Sequence, residues 1–240
     1  MDVATKYVHR GMVQNEEGVL QSSLDTSLAA RKDGRLIARA WGNLDLSNDT
    51  GDAWLPDGHG GRFSQIDFHF LYEQAFESAV LTMGLVSYNL PNGLEFPNGE
   101  RGATAEVLLA YTAQLPPSLL KLEPTLEVHY DVDEVDGAYV RGSLARSFVL
   151  SEDWFADLAV GVAWMDENQA FWNYAQAPQT SGIADATLVG RVSYAVDRHT
   201  TVNFQAAYSD VVDSDFVDWF EVIGIEETQT WVSLGVSWSY

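Results

Sequence analysis

Cysteine is absent from the 240 residues. Without it the chain has no disulfide framework, no thiolate nucleophile and no thiolate metal ligand. Long hydrophobic runs are missing too. No stretch approaches the ~18 consecutive apolar residues of a membrane-spanning helix. Basic residues are scarce: 13 Lys and Arg stand against 35 Asp and Glu, a net charge of −22. A surface this acidic excludes nucleic acid as a partner, because phosphates need cations. It offers no basic patch for anionic headgroups either. Helical periodicity is almost missing. Met1 runs nearly straight into VATKYVHRG, with no export signal in between. Either the chain is a mature form or it never carried one.

Period-2 alternation is what the chain has instead. The pattern predicts twelve strands, at about 3–11, 19–31, 35–47, 62–75, 79–90, 103–115, 122–133, 138–150, 155–166, 183–196, 200–211 and 229–240. Most are much longer than the roughly five or six residues usual in a soluble sheet. They suit tilted strands crossing a bilayer. Short connections (KDGR, SEDW, DRHT) alternate with long ones (NDTGDAWLPDGHGG, PNGLEFPNGERG, NQAFWNYAQAPQTSG, DSDFVDWFEVIGIEE), with EVDG the short exception among the latter. Tight turns at one rim and long loops at the other predict a single all-β domain over 1–240. It is a transmembrane, antiparallel up-and-down barrel with short periplasmic turns and long extracellular loops.

Each strand has an oily face and a polar face. Leu24, Phe68, Val160 and Val236 lie on oily faces. A membrane barrel turns that face to lipid and the other to a polar lumen. The expected lumen-lining, pore-forming side chains are Arg39, Asp45, Asp67, His69, Glu106, Glu127, His129, Asp131, Arg141, Asp157, Asp185 and Arg191. Aromatics fall late in most strands: Tyr72, Tyr88, Tyr111, Tyr130, Phe148, Trp164, Tyr194, Tyr208, Trp238 and Tyr240. Neighbouring strands run in opposite directions, so these side chains predict two aromatic girdles, one at each lipid–water boundary. Arg146 breaks the pattern on the oily face of its strand. It requires either a register-shifting bulge or a position near an interface.

Two carboxylate–imidazole pairs, Asp67/His69 and His129/Asp131, raise the possibility of a barrel hydrolase. Opposite strand directions, at about 3.3 Å per residue, are expected to put His69 and His129 at different depths. No catalytic residue is assigned. The acidic DVDEVDG stretch lacks the spacing of an EF-hand and reads as a solvated hairpin tip. A calcium contact shared with lipopolysaccharide phosphates is the alternative there. No metal site and no cofactor are assigned.

The opening ATKYVHRGMVQNEEGVLQSSLD resembles the first hairpin of the TorF-type porins of Gram-negative outer membranes: an aromatic, then Arg-Gly, then a Gln-containing loop. WGNLDL, SQIDFHFLY, GLVSYNLPNG and HYDVDEVDGAYV are similar in order and type. The resemblance implies a bacterial outer-membrane barrel acting as a channel, its export signal removed. Its partners would be outer-membrane lipid, lipopolysaccharide and, through the aromatic C-terminal strand, the barrel-assembly machinery. The lumen is expected to be either a narrow channel for ions or small polar solutes or a plug of ion pairs. Acid concentrated in the loops leans toward cations.

Overall fold

In the computed structural model, described for residues 1–31, 33–51, 57–58, 60–91, 102–116, 121–177 and 180–240, twelve antiparallel strands close into one barrel. The middles of the predicted loops 48–61 and 91–102, and most of the turn 116–121, lie outside the described residues. Three short strands come first: β1 (Asp2–Ala4), β2 (Tyr7–His9) and β3 (Met12–Asn15). The longer strands begin with β4 (Val19–Arg31), β5 (Gly34–Asp45), β6 (Phe63–Ala75), β7 (Ala79–Asn89) and β8 (Ala103–Ala113). They continue with β9 (Glu123–Asp131), β10 (Ala138–Val149), β11 (Trp154–Met165), β12 (Gly182–Ala195), β13 (Thr200–Val211) and β14 (Thr228–Trp238). Helix α1 (Glu167–Asn173) follows β11, and α2 (Ser214–Ile223) follows β13.

From β4 to β14 each wall strand pairs with its sequence neighbour. Strand β1 closes the ring, with Val3 opposite both Leu234 and Leu20. Closure satisfies the backbone groups that an open sheet edge would leave unpaired, which hydrocarbon requires. The turn end is built from local chemistry. In DRHT the Asp197 carboxylate accepts the backbone N–H groups of His199 and Thr200 at 2.7 and 2.8 Å. Those bonds hold its pKa below the usual carboxylate value.

The oily faces point outward. Leu24 is 74% exposed, Phe68 43%, Val160 45% and Val236 46%. Their strand neighbours Asp67, Gly161 and Ser233 are buried on the inner side. In a soluble barrel those four apolar side chains would crowd the interior; here they form an outer belt. Tyr72, Tyr111, Phe148, Tyr194 and Trp238 share the outer face toward the turn end, and Tyr130, Trp164 and Tyr208 share it toward the loop end. Tyr240 lies beyond β14, fully exposed and stacked edge-on against Trp238. Arg146 keeps its register opposite Leu158, so no bulge is involved. Its guanidinium lies 4.5 Å from the Phe148 ring centre, near the turn end of β10.

Two sequence expectations need correction. The first strand does not run from 3 to 11: only Asp2–Ala4 belongs to the wall. Arg10 (φ 49°) and Gly11 (φ 83°) both adopt left-handed backbone, and the chain reverses there. Two consecutive positive φ values are the requirement of a two-residue hairpin turn with the right twist. Strands β2 and β3 therefore form a separate two-stranded ribbon inside the barrel, and residues 12–15 are strand rather than external loop. The second correction is Tyr88, which faces the lumen instead of lipid. Strand β7 is apolar on both faces, so alternation alone leaves its sidedness open. Exposed Met83 and Leu85 define its outer face, and the Tyr88 hydroxyl donates inward to Glu106 at 2.9 Å.

Candidate functional site

The lumen is divided into two unlike halves by the inserted ribbon. In the loop-end half every wall strand contributes a buried inward residue. Examples are Ala4, Val19, Asn43, Asp67, Val86, Glu106, Asp131, Tyr139, Ala163, Asp185, Val211 and Gln229, in strand order around the ring. The ribbon and the two loop helices cover them.

Arg10, at the ribbon's tip, is the anchor. Its two terminal nitrogens donate to both oxygens of Glu106, at 2.8 and 2.7 Å. Such a fork-on-carboxylate pair is the strongest geometry an ion pair takes. Both side chains are nearly excluded from solvent, at 8% and 2% exposure. Neighbours complete the carboxylate's shell: the Tyr88 hydroxyl at 2.9 Å, His129 Nδ1 at 2.9 Å and the Gln169 amide at 3.3 Å. Arg10 also donates to the Gln169 carbonyl oxygen at 3.0 Å and stacks 4.3 Å from the Tyr139 ring centre. One latch thus ties the ribbon to β7, β8, β9, β10 and α1. Gly11 beside it cannot carry a side chain: a Cβ there would lie 2.9 Å from that of Asp185.

An apolar cluster seals the layer on the β10–β13 side. Met12 and Val13 of the ribbon pack with Tyr139, Met165, Tyr174, Phe216 and Phe220. Helix α1 is capped by Asp166, whose carboxylate accepts the Gln169 N–H at 3.0 Å, and α2 by Asp213. Gly224, in left-handed backbone, ends α2. Tyr174 meets Phe216 and Phe220 edge-on at about 5 Å. Burial, then the nearby Asp185 carboxylate, push its phenol well above the ordinary value, so it stays protonated.

The predicted lumen residues separate into three groups. Glu106 and His129 belong to the latch. Asp45, Asp67, Asp131 and Asp185 hold the filled layer together. Asp45 accepts from Asn43 and Ser64 at 3.2 and 3.0 Å, and Asp67 from Gln65 at 2.9 Å, while Gln65 accepts the ribbon's Tyr7 hydroxyl at 2.6 Å. Asp185 accepts the Tyr139 hydroxyl at 3.4 Å. Asp131 closes the 132–137 loop by accepting the backbone N–H groups of Asp133 and Val135, both at 3.0 Å. None of these four lines open water.

The third group faces the open, turn-end half: Arg39, His69, Glu127, Arg141, Asp157 and Arg191. Arg39 pairs with Asp25 at 2.5 Å, and Arg141 lies 3.7 Å from Glu127 and donates to Thr187 at 3.1 Å. Asp157 accepts from Ser147 at 2.6 Å, and Arg191 donates to Gln205 at 2.7 Å. His69 sits opposite Arg39 and Val86, and Val86 sits opposite Glu106, the partner of His129. His69 thus belongs to the open half and His129 to the filled layer, so the two imidazoles do not form one site.

Alternation missed the ribbon because residues 3–11 alternate well enough to pass for a wall strand. The overlooked signal was Gly11 itself: an isolated glycine in a strand pattern marks a close approach or a break. The loop helices were also legible, as an Asp ahead of each apolar run and Gly224 just after the second.

The sequence matches no family model and no curated protein. Solved structures do match. The NanC porin superposes with a TM-score of 0.56 at 10% identity, over 100% of this chain and 99% of that one. The closed twelve-stranded barrel fold is thus similar to that of the NanC porin. The outer membrane channel DcaP of Acinetobacter baumannii also matches, with a TM-score of 0.41 at 10% identity, over 94% of this chain and 64% of that one.

Proposed function

We propose that the chain is an outer-membrane channel for ions or small polar solutes, with the β2–β3 ribbon as its constriction. One observation carries this reading: a polar, charged lumen open to water at the turn end inside an apolar outer belt. The porin fold supports it, as does the resemblance of the opening hairpin to the TorF-type porins. The short turns then face the periplasm and the helical loops the exterior. Outer-membrane lipid, lipopolysaccharide and the barrel-assembly machinery are the proposed partners. A channel is preferred over a hydrolase because His129 is engaged with the buried Glu106 rather than aimed at water.

The filled loop-end layer favours a second reading, a plugged barrel with a structural or binding role in the envelope. Recording from purified protein in a planar bilayer separates the two. The channel reading expects discrete current steps of low conductance, because a side-chain-filled layer leaves only a narrow path. A complete lack of steps across a broad range of salt and voltage would leave the plugged barrel standing.

A further inference from the structure

We infer that the open half of the lumen is charge-balanced, and that the solute class it fits is small, uncharged and hydroxylated. This rests on the channel reading above. The net charge of −22 suggests a cation-selective pore, but that charge is not where a solute would travel. Much of it sits in external segments: 212–227 alone carries Asp213, Asp215, Asp218, Glu221, Glu226 and Glu227. These lie beyond the filled layer. The open half lies roughly a strand length away, on the order of 20–30 Å at the usual rise and tilt. That is more than twice the screening length of about 8 Å at physiological salt.

Inside the open half, cations and anions stand side by side. Arg39 pairs with Asp25, Arg35 with Glu73, and Arg141 with Glu127. Arg191 stands opposite Asp157 in the β11–β12 register. At the rim, Lys121 lines a pocket of about 350 Å³ together with Glu77 and Glu123. Selective pores use rings of one sign. Here Arg35, Arg39 and Arg141 each have a carboxylate within ion-pair distance, and Arg191, which donates to Gln205, faces Asp157 across the register, so a passing ion meets short dipoles rather than a net potential. The wall between these pairs is rich in hydroxyls, including Ser23, Ser27, Thr82, Thr125, Ser143 and Thr187, all on inward faces. Such groups both donate and accept, and can replace the water around a solute's own hydroxyls.

Two measurements on the full chain test this. Reversal potentials under a KCl gradient should give a potassium-to-chloride permeability ratio within about twofold of unity. Asp25→Asn and Glu127→Gln should then shift it toward chloride, and Arg39→Gln and Arg141→Gln toward potassium. Proteoliposomes in iso-osmotic arabinose should swell faster than protein-free ones. A wild-type ratio beyond about fivefold for either ion, or no swelling in arabinose despite measurable current, overturns this inference and leaves the channel intact. Absence of both current and swelling overturns the channel reading, and this inference with it.

Discussion

Replacing Arg10 by alanine is expected to convert a mostly occluded barrel into a frequently open one. The substitution leaves Glu106 at 2% exposure without its bidentate cation. Breaking a buried pair on one side costs about 3–5 kcal/mol, mainly because the remaining charge is stranded. At about 1.4 kcal/mol per decade, the population of the undocked ribbon should rise by roughly two to four orders of magnitude. Single-channel recording should show it as a large increase in open probability, and hydrogen exchange as lost protection at residues 7–15. The double variant R10A/E106Q should be milder than R10A, since it removes the stranded charge while Met12 and Val13 keep their apolar seat. An R10A protein with unaltered current and unaltered protection would show that the latch does not hold the ribbon.

The second large effect concerns the wall. An arginine at Val160, on the outer belt, should destabilise folding into lipid vesicles by about 2–4 kcal/mol. An arginine one residue earlier, at Ala159 on the lumen side, should cost far less. The open half already holds Arg191 and Arg39 in water, and a long side chain there can extend toward it. Equilibrium unfolding in urea, with both variants in the same vesicles, measures the difference. A reversed order would mean the faces of β11 have been assigned backwards.

These expectations also mark how far the amino-acid order carried the fold. Period-2 runs define the β4–β14 wall because a one-residue slip would turn every Leu and Phe from lipid into water. Loop lengths set the two ends. Alternation fails where neither face is distinctive: β7 is apolar on both sides, so late-strand position alone puts Tyr88 with lipid although its hydroxyl donates to Glu106. It fails again at 3–11, where a wall strand and a lumen ribbon have the same local pattern. What separates them is a long-range contact, Arg10 with Glu106, 96 residues away. The candidate site was thus half legible. Glu106 and His129 could be placed inside by parity, but not as the seat of a latch. Asp131 had the correct parity as well, yet its job is to close the adjoining loop.

The inside-out partition can be measured directly by placing single nitroxide labels along β11 in reconstituted bilayers. Labels at Leu158 and Val160 should relax with dissolved oxygen, which concentrates in hydrocarbon. Labels at Asp157 and Ala159 should respond to a water-soluble nickel chelate instead. A period-2 oscillation with that phase is the predicted result. The opposite phase, or no oscillation, would contradict a lipid-facing belt around a wet lumen.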